Sequence, residues 1–175
     1  ANPVSLSGGA GASASVKFGT EGIKKPTDPR AHLFNAQPTP VMALEAYLQV
    51  LQLGITDPNL GLYTLETRQF FQKWLVTSAQ QAHELQRLQR SKDKIMLLQR
   101  QDLAVIRFPV ENRQDSPYFF RRGKEGWMLD FASLSQLVGF NHKNQWYFRR
   151  IDNKFTFAFS DLRFDNHGFP HARKR

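Results

Sequence analysis

Few side chains in this sequence have the type and spacing that chemistry requires, and Asp130 comes first. It closes the stretch "GWMLD" and precedes "FASLSQLVGFN". If Trp127 and Leu129 face a core, strand alternation sends Met128 and Asp130 to the opposite face. A carboxylate held there beside Trp and Phe would titrate high and could act as a general base. The competing role is structural. Asp is a strong N-cap residue, and Ser133 lies three positions on, as a helix cap needs. The residue types favour this corner over the catalyst. His142, in "FNHKNQWYF", could complete an acid–base set with Asp130 and Tyr147, because imidazole titrates near neutrality. Its neighbours Asn141 and Asn144 are turn formers, which makes a loop histidine the simpler reading.

Two further patterns carry less. His167 and His171 stand four apart with Asp165 nearby, a helical metal-ligand spacing, but Gly168 and Pro170 argue against a helix there. We expect no metal and no cofactor. "YFFRR" and "WYFRRIDNKFTFAF" interleave aromatics with Arg121, Arg122, Arg149 and Arg150. Exposed rings beside such arginines would suit single-stranded nucleic acid. Phe155, Phe157 and Phe159 alternate as a buried strand face would, so core rings with surface arginines are favoured. There is no G-x-S-x-G elbow, phosphate-binding loop, G-x-G-x-x-G or H-E-x-x-H motif.

The net charge of +9 favours acidic partners: nucleic acid, anionic lipid or an acidic protein surface. The absence of cysteine excludes a disulfide framework, a thiol nucleophile and Cys-ligated metals. No run of 18 apolar residues could span a membrane. The first residue is Ala1, and "ANPVS" would suit a mature end left by signal-peptide removal. A periplasmic or extracellular location is therefore expected, with the cytoplasm left open.

These residues need elements to position them. Residues 1–36 read as an irregular arm: "LSGGAGASAS" is linker-like, and Pro26, Pro29, Pro38 and Pro40 break regular structure. A single domain is expected over 37–166, then a basic tail over 167–175. Thr39 followed by Pro40 predicts a capped helix start, Val41, Leu44, Leu48 and Leu51 give one apolar face, and Gly54 gives a stop. A second helix is predicted from about Thr64 to Leu75. A third is predicted from Ser78, with "SAQQ" as a capping box reaching Gln81 and a Gln/Arg/Lys-rich solvated face. From Lys94 the period becomes two. "KIMLLQ" and "LAVIRFPV" predict one hairpin, "SPYFF" and "GWMLDF" a second, "NQWYFRR" and "KFTFAFSD" a third. "ASLSQLVGFN" reads as a short helix or loop turning a corner. The expected fold is α+β: three N-terminal helices packed on one face of a curved antiparallel sheet of about six strands.

With "ALEAYLQVLQLG" on a capped first helix and "YFFRRGKEGWMLDF" as an aromatic hairpin with a basic turn, the chain resembles the nuclear transport factor 2-like superfamily, the cystatin-like cone fold, over roughly residues 38–165. The resemblance implies a cone with an apolar pocket at its mouth. It also implies one of several roles: small-molecule isomerase, dehydratase or cyclase, binding module, or dimerisation unit. The long arm and "ASLSQLVGFN" depart from a minimal member.

The function expected is a non-enzymatic interaction domain. It would use the sheet's outer face or cone mouth to bind a protein partner or itself, through Trp127, Trp146, Tyr147, Arg121, Arg122, Arg149 and Arg150. The alternatives are a small-molecule pocket enzyme of isomerase, dehydratase or hydrolase type using Asp130 and His142, and a nucleic-acid-binding module using the basic aromatic strands.

Overall fold

The computed structural model describes Lys25, residues 27–111 and 113–173, and the backbone of residues 14–16. Most of the predicted arm therefore lies outside the described residues. Local chemistry sets the first helix. Helix α1 spans Pro40–Leu53: Thr39 Oγ1 accepts the Met42 N–H at 3.1 Å, and Gly54 closes it at φ 66°. Helix α2, Leu65–Lys73, is capped by Thr64 and gives way at Trp74 to a short strand, β2, Trp74–Val76. That strand pairs with β1, Ala14–Val16. Helix α3, Ser78–Ser91, begins one residue earlier in its cap than expected: Thr77 caps it, and Gln80, not Gln81, closes the reciprocal box.

One antiparallel sheet of four strands organises the rest, in the order β3 (Met96–Arg100), β4 (Leu103–Arg107), β5 (Tyr118–Gly123), β6 (Gly126–Leu129). These are the first two predicted hairpins. Register places Leu98, Val105 and Phe119 in one row and Leu97, Ile106 and Tyr118 in the next, on opposite faces. Tyr118 meets α1 and α3, with its ring 6.1 Å from that of Tyr47. Phe119 meets the C-terminal segment, lying flat on Phe155 with ring centroids 4.0 Å apart. Val105, Ile106, Tyr118 and Phe119 are all buried. The sheet is therefore the middle of three layers. The outer face expected to be free for a partner is covered.

The C-terminal layer departs most from expectation. Helix α4, Phe131–Leu137, runs straight into strand β7, Val138–Phe140. Strand β8, Trp146–Phe148, pairs back to β7 and not forward to "KFTFAFSD". The alternating phenylalanines there form a 3-10 turn, Thr156–Phe159, in place of a strand. Asn153 Oδ1 accepts the Phe155 N–H at 2.9 Å, and the Asn153 N–H reaches Thr156 Oγ1 at 3.1 Å. Those side-chain bonds capture the backbone that a ladder would have used. Phe155, Ala158 and Phe159 are all buried, whereas a strand would have put Ala158 on the face opposite the rings. A last hairpin, β9 (Leu162–Phe164) with β10 (Pro170–Ala172), occupies part of the segment read as a basic tail. Among the described residues the fold is thus α+β with four helices, one four-stranded sheet and three two-stranded ones.

Candidate functional site

Asp130 lies at the seam between β6 and α4, 1% exposed. Its carboxylate accepts the Ser133 N–H at 2.9 Å, the Ser133 hydroxyl at 2.7 Å and an Arg121 N–H at 3.3 Å. That is a helix cap, as the spacing to Ser133 predicts. Arg121, half-exposed, also reaches Glu66 at 3.7 Å, which ties α2 to the hairpin. His142 sits exposed in the β7–β8 turn, and no hydrogen bond or ion pair joins it to Asp130. Tyr147 is half-buried, with its ring 5.3 Å from Phe169. The proposed acid–base trio is therefore not assembled.

The proposed binding residues separate into two groups. Trp127 and Trp146 are 3% and 2% exposed and belong to the core, where neither can meet a partner directly. Arg122 covers Trp127 at 5.3 Å and pairs with Asp102 at 2.8 Å. Arg149 and Arg150 are exposed. The rings of "YFF" and most of "WYF" are buried, so no stacking platform faces solvent there. His171 Nε2 bonds Asp165 at 2.8 Å, and Arg113 donates to His171 Nδ1 at 2.8 Å. No metal-holding group of acids and histidines occurs among the described residues.

What sequence reasoning missed is the character of α3. Its polar face was expected in water, yet Gln81, Glu84, Arg87 and Ser91 are buried. Gln81 donates to the Ile55 carbonyl at 2.7 Å. Glu84 accepts from the hydroxyls of Tyr47, at 2.7 Å, and Tyr118, at 2.9 Å. Arg87 and Ser91 both reach Asp115, at 3.8 and 2.9 Å. Burial, then the negative Glu84 nearby, push the Tyr47, Tyr118 and Tyr63 hydroxyls well above their ordinary range. The one sequence signal was spacing: 81, 84, 88 and 91 share a helix face.

A cleft of about 370 Å³ is lined by Lys25, Thr27, Asp28, Thr56, Asp57 and Val76. Lys25 donates to the carbonyls of Phe71 and Trp74, and burial lowers its pKa. Asp57 receives the N–H groups of Asp28 and Asn59, at 2.8 and 2.9 Å. Both charged groups are thus engaged with backbone. A groove of about 280 Å³ between α1 and α3 has Val41, Leu44, Leu48, Leu88 and Ile95 in its walls, with Glu45, Lys92 and Asp93 also lining it. From Ile95 the chain continues into β3, where Met96 and Leu97 are 49% and 41% exposed. No helix among the described residues is long and apolar enough to cross a membrane. No family model, curated protein or solved structure matches the chain.

Proposed function

We propose that this chain is a non-enzymatic interaction domain that binds a protein partner or a second copy of itself. One observation carries the reading: a groove between α1 and α3, with apolar walls and Glu45, Lys92 and Asp93 beside them, leads along the chain into a strand whose Met96 and Leu97 stand open to solvent. Exposed apolar side chains that adjoin a groove are what a protein-binding surface would use. The titratable groups best placed for chemistry are meanwhile occupied in holding the fold, Asp130 as a cap and Glu84 as an acceptor for two tyrosines. The proposed surface is a groove and strand margin, not the sheet face that the sequence suggested. Kinship with nuclear transport factor 2-like domains remains part of the proposal, supported by the capped α1 and the β5–β6 hairpin. Binding modules and dimerisation units of that superfamily would be the relevant comparison.

Photo-crosslinking tests this. A benzophenone amino acid replaces Leu97 in one variant and Leu53, an equally exposed residue at the end of α1, in another. In cells making the protein, the Leu97 variant should yield a discrete adduct and the Leu53 variant none. No adduct at Leu97, or the same smear from both, sinks the reading.

A further inference from the structure

We propose that the outer margin of β3 binds the same strand of a second copy of this chain, antiparallel, with the two-fold axis at Leu98. This deepens the interaction-domain reading and rests on it. The two margins of the four-stranded sheet are treated differently. At β6, Gln37 and Trp127 exchange N–H···O bonds of 2.9 and 2.7 Å. Beyond them Leu129 donates to the Leu62 carbonyl and Thr64 to the Leu129 carbonyl. At β3, among the described residues, no strand or bridge pairs with the outer side. In an antiparallel ladder every second residue of β3 turns its N–H and C=O away from β4. Native proteins guard such margins with proline, bulges or mid-strand charge. "MLLQR" has none of these before its last residue, and four of its five residues are exposed.

The occupant follows from charge. With the axis at Leu98, Leu97 faces the partner's Gln99 and Met96 faces its Arg100. The Arg100 stem can then cover the thioether. Just beyond the strand, Lys94 of each copy comes to the hairpin turn of the other, where Asp102 sits, held by Arg122 through Oδ1 and able to accept a second cation. Moving the axis to Leu97 would instead set Lys94 against Arg100 twice. Opposed like charges disfavour that register, and opposed unlike charges favour the first. Within one chain Lys94 and Asp102 are separated by the length of β3, roughly 17 Å, so they cannot pair with each other. The strand is therefore complementary to itself in one register.

Sedimentation velocity on the full chain, from about 1 to 200 µM, decides it. The mass should climb from 20.2 kDa toward twice that value. Lys94→Asp and Asp102→Lys alone should each weaken association at least about fivefold, because two exposed ion pairs become like-charge contacts. The double variant should recover to within about twofold of the original. Both positions are exposed, but Asp102 also holds Arg122 at 2.8 Å, so a thermal melt of each variant must first match the parent, and Arg122→Gln is the control for loss of that internal pair. A monomer at every concentration overturns the inference. So does a dimer that ignores both reversals, or one that the double variant fails to restore. A monomer whose Leu97 crosslinker still captures a different protein leaves the interaction-domain reading standing, while a monomer with no adduct removes both.

Discussion

Replacing Tyr118 with Phe isolates a single bond at the centre of the molecule. The ring stays and no cavity opens, because Tyr118 is 1% exposed and the hydroxyl is the only group removed. What goes is a 2.9 Å bond to the Glu84 carboxylate. A hydrogen bond to a charged group contributes about 1.5–3 kcal/mol. At the slope expected for a domain of this size, about 2–4 °C per kcal/mol, Tm should fall by roughly 3–12 °C. Urea denaturation measures the loss directly, as a lower midpoint at unchanged slope. Tyr147→Phe is the control, since no hydrogen bond reaches that half-buried ring's hydroxyl among the described residues, and it should shift stability by less than about 0.5 kcal/mol. If Tyr118→Phe matches the control, Glu84 is not an acceptor that the fold depends on, and the polar seam under α3 is not what attaches the helix.

Alkaline titration tests the same cluster. The folded pKa values of Tyr47, Tyr63 and Tyr118 are raised, so their contribution is whole below about pH 10 and is lost as pH rises above it. With three phenols ionising only on unfolding, stability should fall by about 4 kcal/mol per pH unit there, read by phenolate absorbance beside circular dichroism. In acid, Asp165 responds. Burial opposes its charge, but the bonds from His171, Phe169 and His167 hold its pKa at about 2. Its contribution is present above about pH 4 and lost as pH falls toward 2, and His171→Phe should shrink that loss in acid melts. Asp130→Ala should cost about 1–3 kcal/mol and Asp130→Asn less, because an amide oxygen still caps α4. Trp127→Ala should cost about 3–5 kcal/mol, whereas Arg149→Ala should melt with the parent.

The parts of the fold legible in the sequence are those decided by near neighbours. Thr39, Pro40 and Gly54 announce α1, and Asp130 with Ser133 announces α4, because caps act across three residues. The β3–β4 hairpin is legible through its short turn, whereas "RRGKE" reads as a longer loop and in fact gives Arg121, Arg122 and Gly123 to β5, with only Lys124 and Glu125 turning the chain. Phe155, Phe157 and Phe159 mislead because the periodicity belongs to side chains, while Asn153 and Thr156 hold the backbone. The pairing of Val138–Phe140 with Trp146–Phe148 was hidden by its direct continuation from α4. Glu84 reads as a solvated helix residue until Tyr47 and Tyr118, 37 and 34 positions away, are brought to it. Of the residues first suspected of function, Asp130 was given its capping role by its spacing to Ser133, and His142 its place in a turn by Asn141 and Asn144. The open margin of β3 was invisible, since a strand's sequence does not state its position in the sheet.

The close approach of Gln37 to the β5–β6 turn has a consequence for how far assembly can run. Gly126, at φ 131°, admits the Gln37 carbonyl where any side chain would collide: an added Cβ would lie 2.6 Å from that oxygen. With that flank sealed, the β3 pairing proposed above would proceed from one side only and terminate in a closed pair. A bulkier residue at 126 would unseat Gln37 and open the Trp127 end of β6, and if Leu62 and Thr64 then also let go of Leu129, each molecule would have two open margins. Its product should then be a growing fibre rather than a finite particle.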